Sequence, residues 1–345
     1  YSNYIDKVNH IRSIYAFKTA NDSPTDLIFS TIREYKSNQE NILIQGDSWA
    51  EQMLAETSFE VIQTIADKND YGLINAGTSS YSPSLMRSQL QILRDDFKIQ
   101  PKHIVAIIDN TDMGDELCRY KDKQYVDESG NKYVHAFKKD EQNEIYALWH
   151  FIEHQNIYYS NTFNLIKLFK MSMNSLDYRK GNFDLPESHK TRLERLSDLP
   201  VWEASRIHNI INENRFDSPK CGWSDISNPM INGVSSKDHI YLKSIINEYI
   251  EKVFDGNTES LYMVTHPHRG HINGEYKLSI KEIIEETIIE SEFRDKIYLI
   301  DFKVLPADLN IFQANDEASH TTMDYHSAVY IPHIFKKIKE LSVGN

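Results

Sequence analysis

Five short apolar runs, separated by longer stretches that mostly have helical spacing of apolar residues, constrain the fold of this chain more than any other feature. Such runs are too short to cross a bilayer and have the length of buried strands. Their alternation with helices is typical of a parallel sheet covered on both faces. The sequence therefore predicts a three-layer α/β/α sandwich around a flavodoxin-like, five-stranded parallel sheet. The predicted strands are residues 42–44, 72–76, 103–108, 261–265 and 297–301.

The alternation is interrupted once, after the third predicted strand. Residues 116–235 are rich in aromatic side chains, with a predicted hairpin over 125–134 and helical patterns over 141–154 and 160–173. We therefore predict a single α/β domain over residues 1–345, with a mostly helical insertion or subdomain over 116–235. A further helix is expected over 25–35, ahead of the first strand.

The net charge limits the possible binding partners, whereas the cysteine content does not decide in which cellular compartment the protein works. The net charge of −13 argues against nucleic acid and anionic membrane surfaces, which both attract basic proteins. Cys118 and Cys221 are the two cysteines, so at most one internal disulfide can form. The chain begins at Tyr1, which is compatible with removal of a signal or anchor, and an extracytoplasmic location (periplasm or cell surface) is one expectation. The oligomeric state is open.

Polar residues suited to acyl transfer stand at the ends of the predicted strands. Such chemistry needs a hydroxyl nucleophile, an imidazole to take its proton, a carboxylate to orient the imidazole, and donors to the oxyanion. The residues of these types are Ser48 after strand one, Gly77 after strand two, Asn110 after strand three, and Asp324 with His326 before the last helix.

These residues stand in short motifs that resemble the conserved blocks of the SGNH (GDSL-like) hydrolases and the related polysaccharide O-acetyltransferases. The motifs are Gly46-Asp47-Ser48, Asn75-Ala76-Gly77, Asn110 and Asp324-Tyr325-His326-Ser327. The resemblance implies that Ser48 is the nucleophile, that His326 is the general base and that Asp324 orients it. It also implies an oxyanion hole made by the backbone N–H groups of Ser48 and Gly77 and the side-chain amide of Asn110.

The chain departs from the family pattern in two places. The third block lacks its usual glycine before Asn110. Asp324 precedes His326 by two residues instead of three, an arrangement that resembles the Asp-x-His motif of some polysaccharide O-acetyltransferases. Asp316 and His320 are therefore kept as the alternative orienting acid and base.

The resemblance implies an enzyme that removes or transfers O-acetyl groups of a carbohydrate through an acyl-serine intermediate. No metal or organic cofactor is expected. The expected partner is an acylated carbohydrate or polysaccharide, and an upstream membrane-anchored segment or acyl-donor partner would fit a transferase. Candidate substrate contacts are Asp47, Trp49, His266 and His268.

Two other interpretations stay open. In the first, a metal-dependent hydrolase uses His266 and His268 with Asp109, Asp112 and Asp115 as ligands. In the second, the chain is a non-catalytic carbohydrate-binding module on a degenerate hydrolase core, since aromatic rings stack well on sugars. The aromatic residues that suggest it are Tyr120, Tyr125, Tyr133, Trp149, Tyr158, Tyr159, Trp202 and Trp223.

Overall fold

The computed structural model describes residues 29–36, 39–95, 97–126, 130, 132–134, 221–314 and 316–342. The chain divides into two compact units. The first, called here the α/β unit, comprises Phe29–Tyr120 and Lys220–Asn345. The second comprises Tyr1–Ile28 and Lys121–Pro219. The predicted site residues all belong to the α/β unit.

A mostly parallel sheet of six strands forms the centre of the described α/β unit. Its strands are β1 (Ser30–Arg33), β2 (Glu40–Gly46), β3 (Tyr71–Asn75), β4 (His103–Ile107), β7 (Ser260–Thr265) and β8 (Ile297–Asp301), with β5 and β6 lying outside the sheet. The spatial order is β1-β3-β2-β4-β7-β8. Strands β3, β2, β4, β7 and β8 are parallel, while β1 is antiparallel to β3. The predicted α/β class is thus confirmed.

The sixth strand comes from a segment in which a helix was predicted, so the expected five-stranded sheet is wrong in this respect. Strand β1 pairs with β3 through Ser30 opposite Asn75 and Thr31 opposite Ile74. Ile32 is buried in the core, and neighbouring Arg33 forms an ion pair with Asp67 at 3.2 Å. The free edge of β3 offers backbone hydrogen-bonding groups, and this tertiary partner outweighs the local helical spacing.

Helices and helical turns connect the strands. The helices are α1 (Ser48–Glu51), α2 (Glu56–Asn69), α3 (Pro83–Asp95), α4 (Trp223–Asn232), α5 (Ser236–Phe254), α6 (Arg269–Ile272), α7 (Ile280–Glu290) and α8 (Ile331–Ser342). Shorter helical turns cover Gln52–Leu54, Asp112–Gly114, Asp115–Tyr120, Arg294–Lys296, Pro306–Ile311, Met323–Tyr325 and His326–Tyr330.

Strand β2 shows why helices lie on both faces of the sheet. Successive side chains of a strand point to opposite faces. Ile42 and Ile44 pack into an apolar cluster with residues of α2 and α8. Gln45 points the other way, where its amide donates to Met86 O of α3 at 2.9 Å and its carbonyl accepts from Tyr249 Oη of α5 at 3.0 Å. The described sheet is therefore the middle layer of three.

Cys118 and Cys221 form a disulfide between residues 103 positions apart. Cys118 lies just before the α/β unit ends at Tyr120, and Cys221 lies just after it resumes at Lys220. The disulfide therefore joins the two points at which the chain leaves and re-enters this unit.

In the second unit, β5 (Gln124–Val126) and β6 (Lys132–Val134) form the predicted antiparallel hairpin. The predicted helices over 141–154 and 160–173 lie outside the described residues, as do Trp149, Tyr158, Tyr159 and Trp202. Among the helices that the structure describes, none has the length and apolar character needed to cross a membrane.

Candidate active site

Ser48 lies at the carboxyl end of β2, where the chain turns from the strand into α1. The turn depends on Gly46, whose φ is +148° and where a Cβ would lie 2.5 Å from Ile107 O, so a larger residue does not fit. Asp47 caps α1 by accepting a hydrogen bond from Trp49 N at 2.9 Å. These two residues place a half-buried Ser48 at the start of the helix.

Ser48 belongs to a hydrogen-bonded chain of three side chains. Its Oγ lies 2.6 Å from His320 Nε2, and His320 Nδ1 lies 2.6 Å from Asp316 Oδ2. An ionised Asp316 can only accept, which assigns the proton to Nδ1 and turns the lone pair of Nε2 toward Ser48. The side chains of His320 and Asp316 are 20% and 21% exposed, so solvent reaches this group. The structure thus pairs Ser48 with the alternative base and acid instead of with His326 and Asp324.

The segment that carries His320 and Asp316 is a loop held at both ends. Phe312 and Thr321 pair as an isolated antiparallel bridge, and Gln313 N donates to His320 O at 2.8 Å. Asp316 Oδ2 accepts a second hydrogen bond from His320 N at 2.7 Å. Because the carboxylate binds both the backbone and the ring of the same residue, it limits the rotation of the imidazole.

His326 is buried, and both of its ring nitrogens have partners other than Ser48. Nε2 donates to Trp49 O at 3.2 Å, and Nδ1 accepts from Ser58 Oγ at 3.1 Å. Burial lowers the pKa of His326 to about 4, although the hydrogen bond to Trp49 O acts in the opposite direction. The expected contact between Ser48 and His326 is therefore corrected: His326 is a neutral histidine that ties the last helical segment to α1 and α2.

The Asp324 carboxylate makes no hydrogen bond or ion pair with any histidine that the structure describes. Its residue is exposed, and its backbone carbonyl accepts a hydrogen bond from Ser327 Oγ at 3.3 Å. The two-residue spacing to His326 places the pair at the start of a helical turn, where the two side chains point in different directions: one to solvent and one to the core. The expected role of Asp324 is thus corrected together with that of His326.

The expected oxyanion hole is only partly available. Gly77 N donates to Asn75 Oδ1 at 2.7 Å, and a Cβ at Gly77 would lie 2.5 Å from the backbone of Ala50. The Asn110 amide donates to His266 O at 2.7 Å, and its Oδ1 accepts from Ser279 Oγ and Ile280 N, both at 3.0 Å.

Asn110 is fully buried and joins the end of β4 to the start of α7. Of the three expected oxyanion donors, the backbone N–H of Ser48 is the one to which the described structure gives no competing acceptor.

The four candidate substrate contacts are buried in the described structure. Asp47 and Trp49 lie in the floor beneath Ser48, and the Trp49 ring lies 3.4 Å from the His266 ring between centroids. His266 and His268 follow β7 and are equally buried. We therefore correct the expectation that these side chains contact substrate. They are buried, and they support the residues around Ser48 from below.

Asp109, which contacts both histidines, lies near two further buried carboxyl groups, those of Asp47 and Asp112. Burial alone would raise the pKa of Asp109, but the charge of nearby His268 and the further interactions with His266 and His268 outweigh it and lower the pKa. In contrast, burial raises the pKa of Asp47, and the nearby charge of Asp109 raises it further. Burial likewise raises the pKa of Asp112, with added repulsion from Asp47 and Asp109.

The sequence interpretation did not identify Ser58 or Tyr330, which contact His326 and His266. Tyr330 Oη lies 3.3 Å from His266 Nδ1, and its ring stacks on His326 at 5.1 Å between centroids. A usable signal was the four-residue spacing of His326, Tyr330, Ile334 and Ile338, which places the histidine on the buried face of the terminal helix. Nothing in the local sequence around Ser58 indicated its hydrogen bond with His326.

Comparison with known proteins adds little. No family model matches the chain, and no curated protein matches it. Among solved structures, the chain is similar to a probable hydrolytic enzyme from Pseudomonas aeruginosa PAO1, with 10% identity over 90% of this chain and 88% of that chain. The TM-score is 0.29, a likeness too low to support an inference. The site must therefore be interpreted from its own geometry.

Proposed function

We propose that the chain is a serine-dependent acyl-ester enzyme in which Ser48 is the nucleophile, His320 the general base and Asp316 the orienting acid. The continuous hydrogen-bonded chain Ser48–His320–Asp316 is the observation that carries this proposal. It replaces the assignment of His326 and Asp324 that the family resemblance implies.

The geometry suits a two-step acyl transfer. His320 Nε2 takes the proton of Ser48 Oγ as the oxygen attacks the acyl carbonyl, and Asp316 stabilises the imidazolium that forms. The imidazolium then protonates the leaving alcohol, and an acyl-serine remains. Water or an acceptor hydroxyl gives a proton to His320 and attacks this ester, which releases Ser48. The N–H of Ser48 is the available oxyanion donor.

The substrate class rests on the resemblance to SGNH hydrolases and polysaccharide O-acetyltransferases. We propose an O-acetylated carbohydrate as acyl donor or product, with an esterase outcome if water is the acceptor and a transferase outcome if a sugar hydroxyl is. The Cys118–Cys221 disulfide supports an oxidising, extracytoplasmic compartment, where such bonds persist.

The two other interpretations receive less support. His266, His268 and Asp109 converge, but each is at most 3% exposed, so a substrate carbonyl does not reach them. A non-catalytic binding module does not require the aligned and accessible Ser48–His320–Asp316 group. Both interpretations remain distinguishable from acyl transfer by experiment.

The first test is turnover of p-nitrophenyl acetate by the wild type, Ser48→Ala and His320→Ala, with Asp324→Asn as the matched control. We expect turnover by the wild type and the control only. Intact-mass spectrometry should detect an adduct of about 42 Da, one acetyl group, that is absent from Ser48→Ala. Equal turnover by wild type and Ser48→Ala would refute the proposal.

A second comparison separates esterase from transferase. The wild type is incubated with an acetyl ester donor in the presence and absence of de-acetylated oligosaccharides. Acetylated oligosaccharide as the main product indicates a transferase, whereas acetate release that is independent of the acceptor indicates an esterase.

A further inference from the structure

A second group of reactive side chains is buried next to Trp49, the residue that follows Ser48. Asp109 follows β4, while His266 and His268 follow the neighbouring strand β7. One nitrogen from each histidine and one oxygen from Asp109 lie within 4.8 Å of one another. The three side chains are 1%, 3% and 0% exposed. None of them takes part in the chain of hydrogen bonds that leads from Ser48 to Asp316.

Both histidines direct Nε2 toward the same carboxylate oxygen. Asp109 Oδ1 lies 2.5 Å from His268 Nε2 and 3.0 Å from His266 Nε2. His266 Nε2 is buried beside this oxygen and makes no hydrogen bond with it or with any other described residue. A buried polar atom that is not satisfied is costly, and an ion between the three atoms would satisfy it.

Surrounding contacts orient Asp109 and His266 toward the group. Asp109 Oδ2 accepts from Thr111 N at 3.2 Å and from Thr111 Oγ1 at 2.5 Å, so Oδ1 stays on the side of the histidines. The second nitrogen of His266 lies 3.3 Å from Tyr330 Oη. Metal-bound histidines characteristically use their other nitrogen in such a hydrogen bond.

The local charge also favours a cation. Asp47, Asp112 and Asp115 are buried near Asp109, and the side chain of Asp112 has one oxygen without a hydrogen-bond partner. Arg119 pairs with Asp115 at 3.1 Å. A divalent ion would neutralise the charge of the Asp109 carboxylate, which is otherwise expensive to keep out of water.

We propose that Asp109, His266 and His268 form a buried site for a divalent transition-metal ion of the zinc type. Two imidazole nitrogens and one carboxylate oxygen are a zinc ligand set, and sites with three protein ligands complete the shell with water. The ion would join the carboxyl ends of β4 and β7 and support His266, on which Trp49 packs. Because the ligands are inaccessible to a substrate, the ion would stabilise the folded chain and take no part in the acyl-transfer chemistry.

The test is metal analysis of the full chain. Protein from zinc-supplemented medium should contain about one zinc per chain, and chelator-treated protein should take up about one Zn²⁺ in equilibrium dialysis. Zn²⁺ should also raise the melting temperature of the chelated protein, since it binds the folded state. His268→Gln should reduce the bound zinc to less than about one tenth of an ion per chain.

The matched control is His103→Gln, a buried histidine at the opposite end of β4 that pairs with Glu40. It should bind zinc as the wild type does. The proposal is overturned if the wild type takes up none of Zn²⁺, Mn²⁺, Co²⁺ or Ni²⁺, or if His268→Gln binds as much as His103→Gln. Should His268→Gln fail to fold, dialysis and melting of the chelated wild type still decide whether an ion binds.

Discussion

His320 and His326 are six residues apart in the sequence, yet the structure places them in opposite chemical situations. His320 is partly exposed, and its ring joins a hydroxyl on one side and a carboxylate on the other. His326 is fully buried between Ser58 and the carbonyl of Trp49, and it has no carboxylate beside it in the described structure. Reactivity of a histidine thus depends on its partners and access, which a short motif does not encode.

The difference has a physical cause in the backbone around each residue. His320 ends a loop that folds back on itself, so its carboxylate partner can come from four residues earlier in the chain. His326 begins a helical turn in phase with the apolar face of α8, which directs its ring into the core. A loop can present a side chain to solvent where a packed helix face cannot.

The largest expected effect separates the two histidines directly. His320→Ala should lower kcat for an activated acetyl ester by about 10⁴-fold or more, because no other base among the described residues is hydrogen-bonded to Ser48 Oγ. His326→Gln should change kcat by less than about tenfold, since the described contacts of the ring are with Ser58, Trp49 O and Tyr330 and not with Ser48. Steady-state kinetics of both variants measures the contrast. A larger loss for His326→Gln than for His320→Ala would reverse the assignment.

Asp316 and Asp324 provide a parallel comparison, in which we expect a smaller change in kcat. Asp316→Asn should lower kcat by about 10²–10⁴-fold, because the amide no longer fixes the proton on His320 Nδ1 or stabilises the imidazolium. Asp324→Asn should leave kcat within about twofold, since its side chain is exposed. The same kinetic assay with both variants provides the measurement. Equal losses would indicate that both acids act, and would contradict the geometry described here.

Much of the fold follows from local patterns. The apolar runs identify β2, β3, β4, β7 and β8 because a buried parallel strand carries few polar residues. The missed strand, β1, is amphipathic and short, and only the open edge of β3 gives it a partner. Pairing between distant segments is a tertiary property that a local window does not contain.

The candidate site likewise contains residues that local sequence patterns predict and residues whose roles depend on distant contacts. Ser48 is predictable because a glycine turn after a buried strand and a cap before a helix are both local signals. The choice between His320 and His326 depends on contacts across 272 and 277 residues of sequence. The helical phase of His326 with Tyr330 and Ile334 is a signal of burial, which the assignment from the family motif did not take into account. Asn110 shows the same limit, because its partners on α7 are distant in sequence.

The pH dependence of stability provides a further contrast. Since burial lowers the pKa of His326 to about 4 in the folded state, protons bind first to the unfolded chain, whose histidine has a pKa of about 6.5. The free energy of unfolding should therefore fall as the pH falls from 6.5 to 4, by about 3 kcal/mol from this residue.

His326→Gln should show a flatter dependence on pH in that range, which chemical denaturation of both proteins at several pH values would measure. The other histidines are common to both proteins, so their effects cancel in the difference. Parallel curves for the two proteins would show that His326 titrates as it does in water.

The smallest effect concerns Asn110, for which the motif and the structure imply different losses. If Asn110 only links β4 to α7, Asn110→Ala should lower the free energy of unfolding by about 2 kcal/mol, because buried hydrogen bonds are lost. If its amide also binds the oxyanion, kcat should fall by a further 10²–10³-fold, about the loss seen for one such donor.

Ser279→Ala is the matched control, because it removes one hydrogen bond to Asn110 Oδ1 and leaves the amide in place. Thermal or chemical unfolding and steady-state kinetics on the same preparations separate the two effects. We expect a loss of stability in both variants and kcat within about fivefold of the wild type. A selective loss of kcat in Asn110→Ala would mean that the amide turns from His266 O toward the substrate during the reaction.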